Sequence, residues 1–279
     1  MQNNKETNYL RLAYALALSI KNTQSDVNKL SIVTDIKRMP KGYRKVFDKV
    51  IPLKTDKAKD ANWKLDNIVD LYDYTPYDET VMLDSDMLFL TDVSHWWKYL
   101  ALKDIWFTTH AKNFKGEAIP EGTIYREEFV VNNLPSVYNA FFYFKKCENS
   151  EALFDMMKNI HESWDYCVDK FLFKKKPKVF STDVAFGLAI KLLDMENDAT
   201  FNCIPFPYFA HMKIQNQNWP LPNRLVDTDW TECVDVSFDN FDNSLGIKVG
   251  NIRQFGVFHY HVKQFLTNNM VEVLENPNG

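Results

Sequence analysis

The stretch that most constrains this chain is Glu79–Leu90, Glu-Thr-Val-Met-Leu-Asp-Ser-Asp-Met-Leu-Phe-Leu. Val81, Met82 and Leu83 make a short apolar run closed by two carboxylates, Asp84 and Asp86, and a second apolar run, Met87 to Leu90, follows at once. Side chains at i and i+2 of an extended segment point the same way, so the two acids converge on one point at the end of a buried strand. Hard oxygen ligands in that arrangement suit Mg²⁺ or Mn²⁺, usually shared with substrate phosphates. The plainer reading is a strand leaving the core through two solvated acids.

Composition removes several classes. The 279 residues suffice for one large domain, and 46% hydrophobic with 25% charged residues describes an ordinary globular chain. Only eight glycines occur and no glycine-rich phosphate loop is present, which argues against a dinucleotide fold. A net charge of −4 gives nucleic acid no support as a partner. Cys147, Cys167, Cys203 and Cys233 show neither C-x-x-C pairing nor zinc spacing and read as free thiols in a reducing compartment. The polar N-terminus does not fit a signal peptide, and no apolar run reaches the length of a membrane span. The expectation is a cytoplasmic protein.

Taken in order, Tyr9–Ile20 predicts a buried helix capped by Asn8. Leu30–Thr34 and Phe47–Leu53 predict strands, with a turn or short helix at Gly42–Val46 between them. Lys59–Tyr72 predicts a helix stopped by Pro76, and the carboxylate-ended strand follows. Next come a short helix at Val93–Leu100, a strand at Asp104–Thr109 and an irregular excursion over Lys112–Asn133 that could serve as a lid. Val137–Phe144 is the strongest strand in the chain. Long helices are expected at Asn149–Lys170 and Thr182–Leu193, loops over Phe201–Pro222, and a last strand at Gly256–His261. No repeat or linker interrupts this alternation. It is an α/β pattern in a single domain, with halves at about 1–110 and 111–279.

The residues in this order resemble nucleotide-sugar glycosyltransferases of the GT-A fold, nearest the glycogenin and bacterial galactosyltransferase group. The likeness is carried by Tyr77 upstream of Val-Met-Leu-Asp-Ser-Asp, by Tyr-Asn-Ala-Phe-Phe-Tyr-Phe at 138–144, by the Asp183-started helix and by His259-Tyr-x-x-Lys263. It implies a Rossmann-like mixed sheet flanked by helices, Mn²⁺ (or Mg²⁺) as cofactor, and sugar transfer from a UDP-sugar to a carbohydrate, protein or lipid-linked acceptor. It leans towards retention at the anomeric carbon. By the same resemblance Asp84, Asp86 and His259 hold the metal. Ser85 lies near the ribose, Lys64 near the sugar and Lys263 near phosphate, while Asn139 and Asp183 orient the donor sugar.

Each of these also has a structural explanation. Lys64 fits a solvated helix lysine, Asn139 a side chain satisfying strand backbone, and Asp183 a carboxylate at a helix N-terminus. Ala140-Phe141 stand where the family has Ser-Gly, Val184 replaces a Gln, and the His259–Lys263 interval is short. His261 shares a face with His259 if the segment is a strand, leaving both open as ligands. The family's opening strand would already be complete at Met1, so a truncated start or an absent first strand is expected. Two rivals remain: a haloacid-dehalogenase-type phosphotransferase, which would carry its Asp-x-Asp on the first strand, and a catalytically degenerate nucleotide-sugar-binding protein.

Overall fold

The computed structural model describes residues 1–26, 29–59, 64–109, 112, 116, 126–200, 210–211, 234–239, 243–249, 252–260 and 263–277. The chain opens with α1, Tyr9–Thr23, then β1, Ser31–Thr34, and β2, Lys49–Pro52. β3, Glu79–Leu83, and β4, Met87–Phe89, flank the two carboxylates; β5 is Ile105–Thr108 and β6 Tyr138–Lys145. Three helices follow: α2 at Glu148–Glu162, α3 at Trp164–Phe171 and α4 at Thr182–Leu192. Short strands succeed them: β7 Ala210–His211, β8 Val234–Asp239, β9 Ser244–Val249, β10 Ile252–Arg253 and β11 Val257–His259. A last helix, α5, spans Asn268–Glu275.

Among the described residues the strands fall into four small sheets rather than the single mixed sheet expected. β1 pairs parallel with β2, β6 lies antiparallel between β3 and β5, β11 lies between β4 and β7, and β9 lies between β8 and β10. The mixed α/β class holds. The apolar run after the carboxylates therefore does not continue the strand before them: β3 joins one sheet and β4 another, and the turn between them carries Asp84 to Asp86.

β6 explains much of the packing. Its residues alternate between two covered faces, which is why Val137–Phe144 reads as unbroken hydrophobicity. Phe142 and Phe144 enter one core cluster with Phe107, Phe154 and Phe186, and Phe141 and Tyr143 enter another with Trp96 and Trp106. Phe107 stacks on Phe142 with ring centroids 4.8 Å apart, an arrangement worth about 0.5–1.5 kcal/mol beyond its buried area. α4 closes on this core with little space to spare: a Cβ on Gly187 would meet the Pro135 carbonyl oxygen at 2.9 Å.

The two chain ends meet on α1. Asn8 caps it by accepting from the Arg11 amide at 3.2 Å. Arg11 donates to the Leu266 carbonyl at 2.6 Å and Tyr14 donates to Glu275 at 2.9 Å, so α5 and the segment before it are anchored on α1. Ser19 Oγ accepts the Phe89 amide at 3.0 Å, which fixes β4 on the same helix. The C-terminal segment is thereby brought beside a motif far from it in sequence.

Several expectations change in detail. Lys59–Tyr72 is not one helix: its described part is a 3₁₀ turn, Asp66–Asp70, followed by a single α-turn, Leu71–Tyr74. Asn67 accepts the Lys57 amide and donates to Gln2 and Asp56, so local side-chain bonds compete with a regular helix there. Asn149–Lys170 is two helices broken at Ser163, whose φ of −118° and ψ of 34° lie outside the helical region. Val93–Leu100 begins as a 3₁₀ turn. Most of Lys112–Asn133 and of Phe201–Pro222, with Trp63, His261, Cys203 and Cys233, lies outside the described residues. Residues 1–8 form no strand. Cys147 and Cys167 are free thiols, and among the described residues no helix is long and apolar enough to cross a membrane.

Candidate metal and donor site

The backbone sets the site before any side chain does. The Asp84 amide donates to the Ala140 carbonyl at 2.9 Å, extending the β3–β6 ladder by one residue. Two residues later the Asp86 carbonyl accepts the Tyr260 amide at 3.0 Å, starting the β4–β11 ladder in which Met87 lies opposite His259. The turn is thus pinned at both ends to different sheets, and His259 is placed by pairing with the strand that leaves it.

One ligand atom from each of Asp84, Asp86 and His259 lies within 4.8 Å of the others. His259 Nε2 is 3.1 Å from Asp86 Oδ2 and 4.0 Å from Asp84 Oδ2. The cluster is deep: His259 is 2% exposed and Asp86 5%. Tyr138 Oη lies 3.2 Å from His259 Nδ1, on the ring nitrogen that faces away from the carboxylates. A metal-bound imidazole needs its other nitrogen protonated and hydrogen-bonded, and the Tyr138 oxygen can accept that proton. Lys263, 177 residues from Asp86 in sequence, places its ammonium on Asp86 Oδ2.

These contacts drive the two carboxylates apart electrostatically. Burial pushes the Asp84 carboxyl up to about 6, aided by the charge of Asp86 and opposed by His259 and Lys263. Burial acts in the same upward sense on Asp86, but the charges and hydrogen bonds of His259 and Lys263 win and hold it well below the usual carboxylate range. The site therefore carries one carboxylate held directly by Lys263 and His259 and a second, 4.0 Å from His259, whose charge burial disfavours. That imbalance, with a two-carboxylate, one-imidazole donor set at metal-ligand separations, fits a divalent cation.

A cavity of about 1600 Å³ opens from this cluster, and Lys64, Ser85, Asn139, Asp183 and Lys263 all line it. Asn139 is buried, and among the described residues its Nδ2 has no acceptor. Asp183, in the first turn of α4, accepts the Asn139 backbone amide at 2.8 Å and pairs with Arg126 at 3.4 Å. Arg126 in turn donates to Ser136 and to the Val137 carbonyl and lies 4.0 Å over the Phe129 ring. Lys64 lines the cavity, and its ammonium donates to the Ala58 and Lys59 carbonyls at 2.5 and 2.7 Å.

Every sequence-predicted residue within the described part thus borders one cavity, while Lys64 is turned back on its own loop. Arg126 and Tyr138 escaped notice in the sequence. Arg126 ends an aperiodic stretch with no signal of its own. Tyr138 sits in a run of five aromatics with one Asn and one Ala that reads as core.

No family model matches the sequence, and no curated protein matches it. Among solved structures the chain is similar to the apo crystal structure of mouse xyloside xylosyltransferase 1. That match has 14% identity and a TM-score of 0.45, covering 92% of this chain and 94% of that one. At that level the likeness carries no functional argument, and the reading below rests on the side chains of the site.

Proposed function

We propose that the protein is a metal-dependent glycosyltransferase that moves a sugar from a nucleoside-diphosphate sugar, a UDP-sugar in first place, to an acceptor hydroxyl. The observation that carries this reading is the convergence of Asp84, Asp86 and His259 at the wall of a large cavity. Mn²⁺, or Mg²⁺, would be held by those three side chains and would supply positive charge to the diphosphate as it departs. A mixed oxygen and nitrogen donor set favours Mn²⁺ of the two.

The remaining roles belong to the chain's own residues. Lys263 already reaches Asp86. With a cation held by Asp86, the Lys263 ammonium would be free to donate a charge-assisted bond to the diphosphate. Asn139 presents a buried amide nitrogen without an acceptor, suited to a hydroxyl of the donor sugar. Asp183 fixes the backbone under Asn139, and Arg126 fixes Asp183. In the transfer, the acceptor oxygen forms a bond to the anomeric carbon as the bond from that carbon to the diphosphate breaks, and the acceptor's hydroxyl proton passes to the departing diphosphate. Retention, the acceptor class and the contacts of Lys64 and Ser85 complete the reading as the resemblance implies them.

The test is a panel of UDP- and GDP-sugars assayed for hydrolysis and transfer with Mn²⁺, Mg²⁺ and EDTA. Turnover of at least one donor that needs the metal and disappears in Asp86→Asn is expected. UDP binding without turnover across the whole panel would make the chain a binding protein. Phosphate release from p-nitrophenyl phosphate would turn the reading to phosphotransfer.

A further inference from the structure

The segment joining α3 to α4, residues 172–181, reads Leu-Phe-Lys-Lys-Lys-Pro-Lys-Val-Phe-Ser. Its four lysines in five positions contrast with a chain of net charge −4, and all four are exposed. Lys175 pairs with Glu127 at 3.2 Å and Lys176 with Asp169 at 2.8 Å. Among the described residues Lys174 and Lys178 have no acidic partner. Apolar side chains stand beside these charges. Phe173 is 81% exposed and Val179 69%, and Val130 and Tyr166 are each more than half exposed.

The backbone holds Phe173 outward. The Phe173 and Lys174 amides both donate to Asn132 Oδ1, at 2.7 and 3.0 Å, and Asn132 Nδ2 donates to the Lys174 carbonyl at 2.7 Å. Asn132 is itself buried, and Lys191 of α4 donates to its carbonyl at 3.1 Å. With this clasp closed and Leu172 buried in the core, Phe173 is left in solvent. Val130 belongs to the same clasp, since its carbonyl accepts the Asn133 amide at 3.2 Å. The Lys176–Asp169 pair brings the lysines to the face of α3 that bears Tyr166, three residues before Asp169.

We propose that this face, centred on Phe173 and flanked by Lys174 and Lys178, docks the protein on an anionic lipid bilayer. Apolar tips enter the acyl boundary while the ammonium groups stay with the lipid phosphates, so both kinds of side chain find partners at once. A soluble polyanion would meet the lysines and leave Phe173 and Val179 in water. The basic stretch from Lys37 to Lys45 is the contrast: Ile36, Met39 and Tyr43 pack against the core there, leaving charge at the surface without large apolar tips. The docking face adjoins the cavity, which Val179 and the residues from Phe180 to Asp183 line. A docked chain therefore holds that wall of the cavity next to the membrane.

The experiment needs neither metal nor nucleotide sugar, so it stands or falls apart from the proposed activity. The full chain is floated with vesicles of phosphatidylcholine alone, or of phosphatidylcholine mixed equally with phosphatidylglycerol. Binding to the mixture should be about tenfold tighter or more, and should fade at high salt. Lys174→Gln combined with Lys178→Gln should weaken it by about fivefold for each lysine. Phe173→Ser should weaken it about threefold or more with Tm unchanged, because that side chain lies in solvent. Lys37→Gln combined with Lys41→Gln removes the same charge elsewhere and should have the smaller effect. No binding to the mixture, equal binding to phosphatidylcholine alone, indifference to Phe173→Ser, or equal losses from the two lysine pairs would each overturn the docking face.

Discussion

Replacing Asp84 and Asp86 in turn by asparagine should move stability in opposite directions in the absence of divalent cation. Asp86 is 5% exposed and pairs with both Lys263 and His259. Removing its charge leaves the Lys263 ammonium without its partner in a buried cluster, a change that costs about 3–5 kcal/mol. Asp84 lies in the same cluster but is lifted from 3.8 to about 6, chiefly by burial and then by the charge of Asp86. A lift of that size corresponds to ~3 kcal/mol of strain when the group is ionised. The Asp84 side chain is 27% exposed towards the cavity, so solvent screening leaves about 1 kcal/mol to be relieved by Asn.

The sign follows from linkage. A carboxyl raised in the folded state favours folding below its unfolded value, and that contribution is lost as pH climbs through about 6. Asp84→Asn should thus be more stable than wild type at pH 8 and lose its advantage at pH 4. The Asp86 contribution is present throughout this range, because its folded value lies below it. Thermal unfolding in EDTA at pH 8 is the assay. Asp84→Asn should raise Tm by about 2–4 °C and Asp86→Asn should lower it by about 6–20 °C. If Asp84→Asn destabilised as much as Asp86→Asn, the electrostatic division of the pair would be wrong.

Two further outcomes follow from contacts around the site. Tyr138→Phe removes the oxygen beside His259 Nδ1 and should weaken Mn²⁺ binding about tenfold with no loss of fold, measured by calorimetry. Gly187→Ala drives a methyl into the Pro135 carbonyl and should cost ~1–3 kcal/mol in urea denaturation, without changing metal affinity.

Much of this site was legible because it depends on short-range spacing. Asp84 and Asp86 converge as i and i+2 residues do, and the strand ending before them is where its apolar run predicts. His259 was legible as a candidate only through the family resemblance, with the Gly256-Val-Phe run before it favouring it over His261. What fixes it opposite Met87 is long-range pairing of β11 with β4, which no local pattern states. The break at Ser163 was hidden for a different reason: amphipathic residues continue on both sides, so periodicity alone runs through it. The Lys59–Tyr72 helix failed where Asn67 and Asp56 offer the backbone competing hydrogen bonds. The division into small sheets was invisible because each strand carries its own pattern, whereas which strands pair is set between segments distant in sequence.

The central claim is that Asp84, Asp86 and His259 form one metal site shared with a nucleoside diphosphate. Calorimetric titration of UDP with and without Mn²⁺, in wild type, His259→Ala and His261→Ala, tests it most directly. A shared site makes the effect reciprocal: Mn²⁺ raises UDP affinity, and UDP raises Mn²⁺ affinity by the same factor. That factor should collapse in His259→Ala and survive in His261→Ala. Equal UDP affinity with and without Mn²⁺ in the wild type would contradict the shared site, and a larger loss in His261→Ala would move the ligand to that residue.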